Sequence, residues 1–414
     1  MTNLSDIIRI LPPMRAGEDL FSALKVLPKY EESICTAEVP VRLMALSDLY
    51  RIYVPSQMSL EIYSKMYLAL LRSLQKKGTK LAVQQKNQNY RAVIQQEYSG
   101  IMGGSDSFTI IGASGIGKSS AISRAITLIT ENRVIEVENP YTKIIPCICV
   151  QCPFDSSVKG LLLEILRKVD EMIDSKYYQN ALRARTTTDM LIGNVSQVAL
   201  NHIGLLVVDE IQNVCNSKNG KSLVGMLTQL INNGGISICM VGTPESAVFF
   251  EQAVQLARRS LGLRYDVMEY GEDFRKFCET LYSYQYVKIR TEITDGAMEW
   301  LYEHTSGNIS VVVSLIHDAQ EIAILNGKEV LNLVSLQEAY QKRLSMLHGF
   351  IHIGQKKQTS KPRGKVSVAK VGCLAEKRDS EDFTIAGLVN AAKTEDGDIV
   401  QLLKVYMPVV EVAV

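Results

Sequence analysis

The chain has 414 residues, 45 Lys plus Arg against 44 Asp plus Glu, 46% hydrophobic and 21% charged residues: room for two or three globular domains, and not the composition of a disordered or fibrous chain. A net charge of +1 leaves no global field to draw it to polyanions, so any nucleic-acid contact must come from local patches. No apolar run approaches bilayer length and the start MTNLSDIIRI lacks a signal-peptide pattern, so a cytoplasmic protein with no membrane partner is expected.

In chain order, residues 1–97 read as an N-terminal helical extension. Within it, MSLEIYSKMYLALLRSLQKK places Leu60, Tyr63, Met66, Tyr67, Leu70 and Leu71 on one side of a helix. From Ile62 to Gln96 no acid interrupts Lys65, Arg72, Lys76, Lys77, Lys80, Lys86 and Arg91. That run is either a solvated face or a contact to a phosphate backbone. Residues 98–270 alternate short β-branched runs with helical stretches. FTII, KIIPCICV, GLLVVD and ISICMVG have the apolar character of buried parallel strands, and RYDVMEY closes the sheet, giving a doubly wound α/β domain with a parallel five-stranded sheet. Residues 271–352 read as a small all-α lid. A basic linker follows over 353–375, and 376–414, with YMPVVEVAV, reads as a partner-docking tail. Cys149 and Cys152 form a CxxC, but no second ligand pair follows at finger-like spacing, so core cysteines are expected.

The stretch FTIIGASGIGKSSAISRAI carries the chemistry. A strand, a loop Gly112-Ala113-Ser114-Gly115-Ile116-Gly117-Lys118-Ser119, then Ser120 in a helix, is the context a phosphate-binding loop needs. Its glycines let backbone N–H groups turn inward, and the helix N-terminus adds partial positive charge. Lys118 would reach the β- and γ-phosphates of ATP and Ser119 would hold Mg2+. In LLVVDEIQN, Asp209 emerges from a buried strand to hold the same ion, and Glu210 is placed to polarise an attacking water, which points to hydrolysis. Thr243, in MVGTPES, stands at the tip of the next strand, where it could touch the γ-phosphate. Arg258 and Arg259, before the last strand, are either surface salt-bridge residues or an arginine finger for a neighbouring subunit.

The segment between the two motifs, VQCPFDSSVKGLLLEILRKVD, then RARTTTDMLIGNVSQVALNHIGLLVVDEIQN, resembles the TnsC/TniB family of AAA+ transposition regulators. The resemblance rests on Cys152-Pro153, Asp155, Ser157, Lys159-Gly160, Asp189-Met190-Leu191, Ala199, His202, the block Asp209-Glu210-Ile211-Gln212, VGTPES and the arginine pair. It implies an AAA+ P-loop ATPase, Mg-dependent and slow, with Thr243 as first sensor. It also implies a homo-oligomer, a ring or helical filament with a hexameric or heptameric turn, on double-stranded DNA. Such a polymer recruits a transposase to a target chosen by a TnsD/TniQ-type selector, sometimes attached to a CRISPR effector, and disassembles on hydrolysis. Ser157, Lys159, Lys176 and Arg183 are the candidate DNA-backbone contacts. In GNIS, Ser310 stands where such lids often carry a sensing arginine. An origin-initiator or loader-type ATPase and a nucleotide-latched signalling switch are the rival readings.

Overall fold

In the computed structural model the described residues are 11–77, 107–138, 141–184, 186–214, 220–247 and 261–344. At its centre is a six-stranded sheet. The strands are β1 Phe108–Gly112, β2 Ile135–Glu138, β3 Tyr141–Gln151, β4 Ile203–Asp209, β5 Ser237–Gly242 and β6 Leu261–Tyr265, in the order β2-β3-β4-β5-β1-β6. Five strands run parallel, as expected. The sixth, β2, was not foreseen: it pairs antiparallel with β3, from Ile135 opposite Ile144 to Glu138 opposite Tyr141. The closing strand also lies earlier than RYDVMEY. It pairs Leu261 to Tyr265 with Phe108 to Gly112 and stops where β1 turns into the loop, because beyond that point β1 offers no further partner.

Alternation along the strands sends side chains to two cores. On β4, Leu206 and Val208 face one way and Leu205 and Val207 the other. The first face is covered by helices Val158–Ile173, Thr188–His202 and Gly220–Gly234. The second is covered by Gln57–Lys77 and by Lys118–Thr130, the helix that leaves the phosphate loop. Gln57–Lys77 buries Ile62, Tyr63, Met66, Tyr67, Ala69, Leu70 and Leu74, while Leu60 and Leu71 are only partly covered. It lies close enough that a Cβ on Gly204 would sit 2.4 Å from Leu70 Cδ1. Lys77, part of the acid-free run, is used internally: its ammonium donates to the carbonyls of Ala199 and Leu200 at 2.7 Å each. These reinforce the end of helix Thr188–His202, where the Ala199 carbonyl also accepts the Ile203 N–H and a cation is favoured by the helix dipole.

The helices Glu272–Tyr282, Asp295–Thr305, Ile309–Leu325 and Leu333–Ala339 build a third core around Phe274, Phe277, Leu281, Leu301, Val312 and Ile316. Leu46, Leu49 and Ile52 of the N-terminal segment belong to that core too. Arg42, in the short helix Val39–Ala45, is the device that fastens the segment there. Its side chain is fully buried and makes a bidentate pair with Glu329 at 2.6 and 2.7 Å, with further bonds to the carbonyls of Tyr286 and Ala37 at 3.0 Å each.

The Arg42 guanidinium holds the Glu329 carboxyl below the usual carboxylate range. A depressed folded value stabilises the protein above the ordinary glutamate range and is lost as pH falls through that lower value. Glu329→Ala leaves a buried charge without its partner and is expected to cost about 3–5 kcal/mol in chemical denaturation. Arg42→Met combined with Glu329→Leu is expected to restore much of that loss.

Candidate functional site

The loop from Gly112 to Ser119 leaves β1 at the carboxyl edge of the sheet and enters helix Lys118–Thr130. Gly115 and Gly117 sit at φ 82° and 91°, backbone that L side chains rarely adopt. The conformation turns successive N–H groups into one concavity, the geometry that binds an anion. Burial pulls the Lys118 ammonium below its ordinary range, and the carboxylates of Asp209, Glu210 and Glu245 oppose that pull. It donates to the carbonyls of Gly112 and Ala113 at 2.7 and 2.8 Å.

The acidic pair meets this loop although β5 lies between β4 and β1. Ser119 Oγ donates to Asp209 Oδ2 at 2.8 Å, and Asp209 Oδ1 accepts the Glu210 N–H at 2.8 Å. A hydroxyl and a carboxylate converging in this way fit a magnesium ion, which takes one or two protein oxygens and fills its shell with phosphate and water. Glu210 is at φ 57° and exposed. Its carboxylate accepts from Gln212 Nε2, while the Thr243 N–H donates to Gln212 Oε1 at 3.3 Å. The Thr243 hydroxyl donates to Glu245, whose carboxyl is held below the usual range chiefly by that bond.

Lys118, Ser119, Asp209, Glu210, Gln212 and Thr243 line one cavity of about 380 Å³, within the span of small-molecule sites. Its polar lining includes Ser114, Lys118, Ser119, Ser120, Asp209, Glu210, Gln212 and Thr243; its apolar lining includes Leu49, Ile52, Tyr53, Val54, Met58, Phe277, Ile309 and Val313. The apolar wall from Leu49 to Met58 was missed in the sequence, where this stretch has neither a long period nor a chemical motif. Its one signal is IYVPS, a β-branched run with a proline just before a long helix. Tyr53 is fixed by backbone bonds to Val26 and by its hydroxyl on Ser59 at 2.7 Å.

The lid turn clasps the loop. Asn308 Nδ2 donates to the Ser114 carbonyl at 2.9 Å, and the Ser310 N–H donates to the Gly115 carbonyl at 3.0 Å. Ser310, where an arginine would reach toward phosphate, thus contributes its backbone to the contact.

Ser157 caps the helix Val158–Ile173, its Oγ accepting from the Gly160 N–H at 3.1 Å, and Lys159 is exposed in the first turn. Lys176 is exposed beyond the other end, across a helix of 16 residues, about 24 Å at ~1.5 Å per residue. Arg183 is exposed at the end of helix Tyr177–Arg183. The four candidates therefore do not converge on one point. Arg258 and Arg259 lie outside the described residues, as do Lys80, Lys86, Arg91, the basic linker and the tail. Of the CxxC, Cys152 is buried in the core and Cys149 reaches the surface, and burial pushes their thiols up to about 12 and about 11. Such thiols are poor nucleophiles at neutral pH.

A Cβ on Gly115 would stand 2.5 Å from Asn308 Oδ1 in addition to the strained φ. Gly115→Ala is expected to weaken binding of a fluorescent ATP analogue by about five- to a hundredfold, the equivalent of the ~1–3 kcal/mol typical of such strain. An affinity equal to wild type would show that the loop relaxes freely.

Residues 99–265 match the family model described as Bacterial TniB protein. A comparison with curated proteins returns no match. Among solved structures, the Orc1 protein of Aeropyrum pernix in complex with DNA aligns at 13% identity and TM-score 0.43, over 63% of this chain and 64% of that one. Drosophila ORC bound to DNA aligns at 12% and 0.38, over 73% of each chain. The Thermotoga maritima RuvB Holliday junction branch migration motor aligns at 11% and 0.33, over 63% and 67%. The phosphate loop, the acidic strand tip and the strand between them all fall inside the matched residues. Over residues 99–265 the chain is thus similar to the TniB family, as the resemblance in its motifs implied.

Proposed function

We propose that the chain is a magnesium-dependent ATPase that regulates DNA transposition by polymerising on duplex DNA. The observation that carries this reading is the convergence of Lys118, Ser119, Asp209, Glu210 and Thr243 on one cavity with a separate apolar slot, inside the TniB-matching stretch. The adenine ring lies in the slot between Leu49, Met58, Phe277 and Val313. The phosphates lie in the loop, and Lys118 exchanges its two carbonyl partners for phosphate oxygens. Ser119 and Asp209 would hold the magnesium, which supplies charge neutralisation on the phosphates when bound. Glu210 accepts a proton from the attacking water as its oxygen bonds to the γ-phosphorus and the bond to the β–γ bridging oxygen breaks, leaving ADP and phosphate. Thr243 orients the γ-phosphate or that water. Turnover is slow, since the lid reaches the loop through Asn308 and Ser310 rather than through an arginine.

Each subunit of such a polymer needs only a few phosphate contacts, so a chain of net charge +1 can present a basic inner surface. Ser157, Lys159, Lys176 and Arg183 are the proposed contacts, and Arg258 or Arg259 the finger into the neighbouring site. The polymer links a TnsD/TniQ-type selector to the transposase, and hydrolysis releases it.

Negative-stain microscopy with duplex DNA tests this, comparing ATP, a slowly hydrolysed analogue, ADP and Glu210→Gln. Rings or filaments are expected with DNA and ATP-like nucleotide, absent with ADP and persistent in the variant. Monomers under every condition would sink the polymer and leave a loader or a nucleotide latch.

A further inference from the structure

The amide of Gln212 is engaged at both ends. Its N–H group donates to Glu210 Oε2, and its carbonyl accepts the Thr243 N–H at 3.3 Å. A carboxamide carries donor and acceptor on opposite corners, so anchoring the carbonyl on a backbone N–H dictates where the amino group points. The anchor is firm because the tip of β5 and the 3-10 turn Ile211–Val214 touch closely. A Cβ on Gly242 would lie 2.7 Å from Ile211 Cγ2 and 3.2 Å from Gln212 Oε1. Glu210 is meanwhile held in left-handed backbone at φ 57°, a conformation that persists only where its surroundings enforce it.

We infer that Gln212 is a positioning residue of the hydrolytic site: it aims the Glu210 carboxylate and ties that aim to the strand tip that carries Thr243. The inference rests on the reading of this cavity as a nucleotide-hydrolysing site. One carboxylate oxygen is held by the amide, and the other is the acceptor for a proton from the attacking water. A shift of Thr243 on contact with the γ-phosphate would be passed through the amide to Glu210. No other side chain of similar size does this. Glutamate at 212 can accept from Thr243 but sets a second negative charge against Glu210. Leucine does neither, and asparagine is one methylene short, a displacement large enough to misplace a reacting group.

The test measures phosphate release, nucleotide affinity and melting temperature for wild type, Gln212→Glu, Gln212→Leu and Gln212→Asn, each also combined with Glu210→Gln. The expected result is a kcat lower by roughly ten- to a hundredfold, with KM, affinity and melting temperature near wild type. Asparagine should retain more turnover than leucine. With Glu210→Gln present, the Gln212 substitutions should cause little further loss, because the group they aim is gone. Wild-type kcat in all three variants, or a loss confined to KM or melting temperature, or one that adds in full to that of Glu210→Gln, would overturn the inference while an active wild type leaves the ATPase reading standing. A wild-type chain that binds ATP and releases no phosphate would overturn both.

Discussion

The hydrogen bond between Ser119 and Asp209 is the point on which the site depends. Ser119 follows β1 through the loop and Asp209 ends β4, two strands separated by β5, and they meet at 2.8 Å only because β1, β5 and β4 run parallel and end at the same edge. Parallel strands deliver all their carboxyl ends to one rim, and that rim is where a doubly wound sheet binds ligands. Any slip of register between β4 and β5 would carry Asp209 away from the loop and turn its neighbours' side chains to the opposite core. The register observed between these strands, Leu205 opposite Ser237 to Val208 opposite Met240, sets the spacing of the chemistry.

The cavity is completed from outside the sheet. The N-terminal segment contributes the apolar slot, and its residues are shared between the core under the loop helix and the core of the C-terminal helices. Arg42 and Glu329 lock one part of it, and Ser237 Oγ bonded to the Ala69 carbonyl at 3.0 Å locks another. The turn that opens helix Ile309–Leu325 bonds to backbone carbonyls of the loop itself through Asn308 and Ser310.

What the sequence revealed follows from how local the physics is. A phosphate loop needs glycines, lysine and serine at adjacent positions, so Gly112 to Ser119 could be read directly. A strand ending in Asp209 and Glu210 was equally plain. Strand β2 was not, because Ile135–Glu138 is four residues, half of them acidic, and pairs only at an edge. The slot from Leu49 to Met58 is made of ordinary apolar residues whose role comes from where the fold sets them. Gln212 was visible as part of DEIQN, but its two partners are a neighbouring side chain and a backbone N–H some thirty positions along the chain, which no spacing rule connects. The four DNA candidates were chosen one by one along the chain, and the fold spreads them along and beyond a single helix.

The most direct measurement is single-turnover phosphate release from ATP by wild type and Glu210→Gln, with and without duplex DNA. The account expects slow release by wild type, altered by DNA, and a Glu210→Gln protein that still binds ATP but releases phosphate at least about a hundredfold more slowly, the scale of a lost general base. Equal release by the two proteins would contradict it, since the carboxylate around which the cavity is arranged would then take no part in the reaction.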